Sequence, residues 1–212
     1  MMKFLVFFAL FTCHLALAQV PASANASAPA LSSRSYLLVD FQSRQILAAH
    51  NAQERIEPAS LTKLMTAYVA FDALRQKRIT LAQAFSVSEN AWHAPGARMF
   101  LTLGESVPVE ALLNGMIVQS GNDAAIALAE GVAGSEEAFV DTMNREASRL
   151  GLTNSHFVNA TGLPDPQHYS TASDLANLSR AIIEEFPQYF PIYKLREYRH
   201  NNITQYNRNR LL

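Results

Sequence analysis

The spacing of hydrophobic and polar positions predicts a β-hairpin near the start of the chain and a long helix after it. Residues 36–41 and 45–49 are short runs of β-prone side chains on either side of a polar turn, which is the pattern of two paired strands. From Ser60 the apolar residues recur at spacings of three and four, and this helical period continues to Leu74. The chain therefore changes from strand to helix near residue 60.

The middle of the chain is predicted to be helical. An apolar helix begins at Pro108 and is interrupted by Ser120-Gly121-Asn122. Three more helices follow: an apolar one typical of buried helices, an amphipathic one that ends at a glycine, and one opened by a Thr-x-x-Asp capping pattern. These helices are expected at residues 124–133, 135–150 and 171–185.

The residues from Tyr193 onward predict new strand structure. A helix-rich middle flanked by strand-forming ends indicates an α+β fold. We expect one antiparallel sheet, flanked by helices, that draws strands from both ends of the chain.

The N-terminal residues have the pattern of a secretory signal peptide. Lys3 is followed by an apolar run over residues 4–17, and Ala16-Leu17-Ala18 is a small-x-small cleavage site. The run is short for a membrane span, so an uncleaved anchor helix is the weaker alternative. We therefore predict a signal peptide at 1–18, a flexible tether rich in Ala, Ser and Pro at 19–33, a domain at 34–212, and an exported protein.

Composition excludes two kinds of chemistry. The one cysteine, Cys13, lies in the predicted leader, so the exported domain would have no disulfide and no reactive thiol. The net charge is −1 at pH 7, which gives no electrostatic basis for binding nucleic acid.

Ser60-Leu61-Thr62-Lys63 is the first candidate for chemistry. At a spacing of three on a helix, the hydroxyl of Ser60 and the amine of Lys63 share one face. A serine needs a base to become a nucleophile, and a lysine can act as that base if burial or nearby positive charge lowers its pKa. The alternative is that Ser60 caps the helix and Lys63 faces solvent.

Ser120-Gly121-Asn122 is the second candidate. A serine two residues before an asparagine, at a break between apolar helices, can direct both side chains into one cleft. The chain has two other Ser-x-Asn triplets, at residues 23–25 and 88–90, but neither lies between two buried helices. The alternative is a turn that only breaks the helix.

These motifs occur in order with three further stretches: Leu150-Gly151-Leu152 with Asn154-Ser155-His156-Phe157, Thr161-Gly162-Leu163 with His168-Tyr169-Ser170-Thr171-Ala172, and Asn207-Arg208-Asn209. Together they resemble the low-molecular-mass penicillin-binding proteins of the serine-type D-alanyl-D-alanine carboxypeptidase family, near the penicillin-binding protein 5/6 group. The resemblance covers residues 36–212. It implies a β-lactamase/transpeptidase-like fold with a helical subdomain.

The resemblance also implies roles for individual residues. Ser60 would be the acylated nucleophile, Lys63 its general base, Ser120 a proton relay and Asn122 a substrate-binding residue. The substrate would be a peptidoglycan stem peptide ending in D-Ala-D-Ala, β-lactams would acylate the same serine, and no metal or cofactor would be needed. Such an enzyme would work in the periplasm, at the outer face of the cytoplasmic membrane.

One family motif does not occur in the sequence. A Lys-Thr-Gly strand is expected downstream of Asn207-Arg208-Asn209, and none of the 212 residues form it. The family's smaller β-domain and its C-terminal membrane-anchoring helix are not recognised either. We therefore expect this chain to be C-terminally truncated, without the last strands of the sheet, and inactive alone.

Alternative functions remain open at this stage. A D,D-endopeptidase of the same family would carry Glu inside the Ser-x-Asn triplet, where this chain has Gly121. A class A β-lactamase would need Ser-Asp-Asn and a Glu that activates water, and residues 151–172 contain no Glu. A catalytically inactive wall-binding homologue is the third possibility. His93 and His156 are better explained as packing or surface residues, because Lys63 already fills the role of base.

Overall fold

Six α-helices form the body of the part of the chain that the computed structural model describes, residues 31–212. They are α1 (Lys63–Arg75), α2 (Glu89–Trp92), α3 (Val109–Gln119), α4 (Asn122–Ala133), α5 (Glu136–Arg149) and α6 (Ala172–Glu185). Short 3-10 helices at Ala59–Thr62 and Phe190–Lys194 precede α1 and follow α6. The long helices predicted from the hydrophobic period are confirmed, and most of their bounds agree within two residues.

The core is built around α1 and α4. Both are buried nearly all round, including Met65, Phe71 and Leu128, which are 0% exposed. Helix α4 is rich in alanine, so its backbone can approach the neighbouring helices α1, α2, α3 and α5 closely. Because α1 begins three residues after Ser60 and α4 begins two residues after Ser120, both candidate motifs are attached to the buried core of the fold.

The helix ends follow the sequence signals with one exception. Gly151 ends α5 with a left-handed backbone at φ 70°, as its residue type predicts. Thr171 caps α6, where its Oγ1 accepts the Asp174 N–H at 3.0 Å. The reciprocal half of the capping box is replaced, because the Asp174 carboxylate accepts instead from the Asn154 N–H at 2.9 Å and the Ser155 hydroxyl at 2.8 Å.

The strands form three separate antiparallel pairs within residues 31–212. The predicted hairpin is present as β1 (Tyr36–Val39) with β2 (Ile46–His50), and β3 (Ala84–Ser86) pairs with β4 (Ser106–Pro108). The tail forms a second hairpin, β5 (Glu197–His200) with β6 (Ile203–Tyr206).

One sheet that joins both ends of the chain is not formed by the described strands. The physical reason is that the two terminal hairpins lie on different helices. Strand β1 packs on α6, whereas β5 and β6 pack on α3. Each hairpin is antiparallel, as predicted, but they share no hydrogen-bonded edge.

The predicted signal peptide at 1–18 lies outside the described residues, as does most of the predicted tether at 19–33. Residues Ser32–Leu212 form one compact unit. Across residues 31–212, none of the helices has the length and apolar character that crossing a membrane requires.

Candidate active site

Ser60 lies on the 3-10 turn that leads directly into α1, and its side chain is exposed. The turn is entered through a left-handed backbone at Ala59, with φ 46°. Gly162 packs against this turn so closely that a Cβ added to it would overlap the Ala59 carbonyl. The turn is therefore packed on its inner side and open on the side where Ser60 meets solvent.

Lys63 is the first residue of α1, and only 6% of it is exposed. Its Nζ donates a hydrogen bond to the Thr161 carbonyl at 2.7 Å. The pKa of Lys63 is lowered from 10.5 to about 8: burial is the largest cause, the positive charge of Arg208 adds to the lowering, and the negative charge of Asp123 opposes both. The amine is thus partly neutral near physiological pH, as a general base requires.

The segment 159–163 holds Lys63 in place through backbone groups. Asn159 organises it, because its Oδ1 accepts the Thr161 N–H at 3.1 Å and the Gly162 N–H at 2.7 Å. One turn along α1, the Thr66 hydroxyl donates to the Ala160 carbonyl at 2.7 Å. Two successive carbonyls of this segment therefore bind α1, and one of them faces the lysine.

Ser120 and Asn122 form the break between α3 and α4. Ser120 has a left-handed backbone at φ 66°, which ends α3 and turns the chain into α4. Its Oγ is buried and has no hydrogen-bond partner among the described residues. Asn122 is 6% exposed, its Nδ2 donates to the Pro95 carbonyl at 2.6 Å, and its backbone N–H donates to the Ala97 carbonyl at 2.7 Å.

Asp123 is a site residue to which the sequence reasoning gave no role. Its carboxylate is fully buried and accepts the backbone N–H groups of Met99 at 2.9 Å and Leu101 at 3.1 Å. It also accepts the N–H of Ala124 at 2.9 Å. The sequence did contain a signal for Asp123, since an acidic residue stands in the first turn of a helix predicted to be buried. A buried carboxylate needs hydrogen-bond donors, and backbone N–H groups can supply them.

Arg208 was also missed, although its Asn-Arg-Asn stretch was recognised. Its Nε donates to the Gln119 carbonyl at 3.1 Å, one residue before Ser120. Asp123 directly follows the 120–122 turn, Arg208 bonds the residue before it, and the charges of both act on the pKa of Lys63. Within residues 31–212, no hydrogen bond directly joins Ser60, Lys63, Ser120 and Asn122 to one another.

The electrostatics of the site are those of a buried amine. Over the part of the chain with described coordinates, no group of three or more His, Cys, Asp or Glu side chains is arranged to hold a metal ion. The site contains the exposed hydroxyl of Ser60, the amine of Lys63 with its lowered pKa, and the hydroxyl of Ser120, which has no hydrogen-bond partner among the described residues. These groups can accept, hold and pass on one proton.

Comparison with known proteins identifies the family. Residues 22–212 match the peptidase S11 family, described as D-alanyl-D-alanine carboxypeptidase. The D-alanyl-D-alanine carboxypeptidase DacC of Escherichia coli K12 is 45% identical over 197 residues, which is 90% of this chain and 49% of DacC. The chain thus spans about half the length of this curated relative.

Solved structures show the same fold. Penicillin-binding protein 5 of Haemophilus influenzae superposes with a TM-score of 0.85 at 41% identity, covering 87% of this chain and 55% of that one. Penicillin-binding protein 6B of Escherichia coli gives a TM-score of 0.83 at 41% identity, covering 88% and 61%. The predicted transpeptidase-like α+β fold and the predicted family are therefore confirmed. The chain belongs to the D-alanyl-D-alanine carboxypeptidase family, peptidase S11.

Proposed function

We propose that the protein is a serine-type D-alanyl-D-alanine carboxypeptidase that removes the terminal D-alanine from peptidoglycan stem peptides through an acyl-enzyme on Ser60. β-Lactams acylate the same serine. Family membership supports the reaction class. The observation that carries the assignment of residues is the buried Lys63, with its pKa lowered to about 8, placed three residues after the exposed Ser60.

In the acylation step, neutral Lys63 removes the proton from the Ser60 hydroxyl. A neutral amine can donate one N–H to the Thr161 carbonyl and still present its lone pair to the serine. The Ser60 oxygen then bonds to the carbonyl carbon of the penultimate D-alanine, and the Ser60 backbone N–H stabilises the oxyanion. The peptide C–N bond breaks, and the proton passes from Lys63 through the Ser120 hydroxyl to the departing D-alanine amine.

In deacylation, Lys63 again acts as the base. Lys63 removes a proton from water, the hydroxide adds to the ester carbon, and the bond to the Ser60 oxygen breaks. The serine takes its proton back from Lys63, and the shortened peptide leaves as a carboxylic acid that loses its proton to solvent. Asn122 holds the substrate amide in both steps, from the start of α4.

The proposed setting is the periplasm, at the outer face of the cytoplasmic membrane, where the complete protein would be anchored by a C-terminal helix and would take part in cell-wall maturation and cell shape. The pattern of residues 1–18 and the family resemblance support this setting.

Mass spectrometry on the complete protein tests the assignment of the nucleophile. After treatment with penicillin, the adduct should be on the peptide that contains Ser60, and Ser60→Ala should abolish both the adduct and the release of D-alanine from a D-Ala-D-Ala peptide. An adduct on another peptide, or undiminished labelling of Ser60→Ala, would refute it. Cleavage of cross-linked muropeptides without D-alanine release would instead favour the endopeptidase.

Ser120 has a matched control in the chain. Ser120→Ala removes the proposed proton relay and should slow turnover by about 10²-fold. Ser88 belongs to another Ser-x-Asn triplet, but its Oγ only caps α2 by accepting the Ala91 N–H. Ser88→Ala should cost about 1 kcal/mol of stability and leave the rate unchanged. Equal rates for Ser120→Ala and the unmodified protein would remove Ser120 from the mechanism.

A further inference from the structure

A buried histidine contacts the turn that carries the proposed nucleophile. His168 lies between α5 and α6, and its Nε2 is 2.7 Å from the Thr62 Oγ1. His168 is 3% exposed and Thr62 is 0% exposed, so this contact is shielded from water. Thr62 stands between Ser60 and Lys63, and therefore this one contact ties the distant loop to both proposed catalytic residues.

The neighbours of His168 define which nitrogen carries the proton. The Val158 backbone N–H donates to its Nδ1 at 3.3 Å, so Nδ1 presents a lone pair. The proton is then on Nε2, and Nε2 donates to the Thr62 hydroxyl oxygen. The Phe157 ring packs edge-on against the imidazole, with centroids 5.7 Å apart and planes at 84°, which restrains the ring further.

Thr62 is free to accept this bond because it does not cap its own helix. It directly precedes α1, yet its side chain makes no cap hydrogen bond. The Thr62 hydroxyl also lies against Gly162, where an added Cβ would be 2.8 Å from the Thr62 Oγ1. A displacement of the imidazole or of this loop is therefore passed on to Thr62 and to the backbone on either side of it.

We propose that His168 is a positioning residue for acylation, which holds Thr62 through its Nε2–H and so sets the spacing of Ser60 and Lys63. The inference rests on the proposed function of those two residues. It explains a buried polar pair that the proton transfers themselves do not use. Burial also lowers the pKa of His168, with Asp165 opposing and His156 adding to the shift, which favours the neutral imidazole whose Nδ1 accepts the Val158 N–H.

The first test compares acylation rates of the complete protein with a fluorescent penicillin. Thr62→Val and His168→Phe each remove the hydrogen bond, and each should lower the rate about tenfold. His168→Gln keeps an N–H donor at a similar reach and should stay within about threefold of the unmodified protein. Thermal melting of Thr62→Val and His168→Gln identifies any loss of fold.

A matched control separates this contact from general damage to the loop. His156 lies, like His168, between α5 and α6, and its Nδ1 bonds only the Gln167 carbonyl, at 2.7 Å. His156→Phe should leave the acylation rate unchanged, whereas an equal loss in His156→Phe and His168→Phe would overturn the proposal. The double variant Thr62→Val with His168→Phe should be no slower than the slower single variant, because both remove the same bond. Additive losses would overturn the proposal as well.

Nitrogen NMR provides a readout that does not depend on activity. The imidazole of His168 should show a protonated Nε2 and an unprotonated Nδ1, and the Nε2–H signal should shift in Thr62→Val. An Nδ1–H tautomer would overturn the inference. Normal labelling of Ser60 with unchanged rates in Thr62→Val and His168→Phe would overturn this inference alone. No labelling of Ser60 in the unmodified protein would overturn the proposed function and the inference with it.

Discussion

The pKa of Lys63 predicts how acylation depends on pH. With a pKa of about 8, about one-tenth of Lys63 is neutral at pH 7, compared with roughly one part in 3,000 for an exposed lysine of pKa 10.5. The fold thus raises the population of the basic form about 300-fold. Since only the neutral amine can remove the Ser60 proton, the acylation rate should rise about tenfold from pH 7 to pH 9 and then level off.

Substitutions at two positions separate the proton-accepting role from charge alone. Lys63→Arg keeps the positive charge but cannot lose its proton, so acylation should fall by about 10²- to 10⁴-fold at every pH from 7 to 9. Arg208→Gln removes a charge that lowers the pKa of Lys63, so the midpoint of the pH profile should move upward, whereas Arg208→Lys should leave it in place.

The assay is the second-order acylation rate with a fluorescent penicillin, measured on the complete protein at each pH and corrected for loss of fold by thermal melting. A rate that does not change between pH 7 and pH 9 would refute the reasoning. Near-normal acylation by Lys63→Arg would also refute it, and would leave the lysine an electrostatic role only.

Two further predictions concern the supports of the site. Gly162→Ala should destabilise the protein by more than about 1 kcal/mol and slow acylation, because the added Cβ would overlap the Ala59 carbonyl. Gly151→Ala is the control: it has a similar positive φ, but no atom lies within 4 Å of the added Cβ. This variant should melt closer to the unmodified protein and acylate normally. Asp123→Asn should move the pH midpoint of acylation below that of the unmodified protein, because the negative charge that raises the pKa of Lys63 is lost; an unchanged midpoint would contradict this.

The sequence was informative where the signal is local. A period of three to four residues was enough to predict the long helices. The spacing of Ser60 and Lys63 marked them as candidates, and the resemblance to the family was needed to give them the roles of nucleophile and base. The break at Ser120 was visible because a polar triplet interrupts two apolar runs. Each of these features depends on residues a few positions apart, and helix geometry fixes what such spacing means.

The partners of Lys63 could not be predicted in the same way. Its hydrogen-bond acceptor is the carbonyl of Thr161, 98 residues further along the chain, and every residue type carries such a carbonyl. Arg208 and Asp123 act on it through space, from segments that only the tertiary fold brings close. The sequence showed that the pKa of this lysine must be lowered for catalysis, and the fold was needed to show which groups lower it.

These contacts make the chemistry of α1 depend on a loop that is remote in sequence. The segment 159–163 supplies the carbonyl that binds Lys63, and His168 binds the threonine beside it. Lys63 is 6% exposed, and burial is the largest cause of its lowered pKa. If the segment opened, Lys63 would be hydrated, its pKa would return toward 10.5, and the neutral amine would become scarce at pH 7. The order of this loop therefore governs the proton affinity of the proposed base as well as its position.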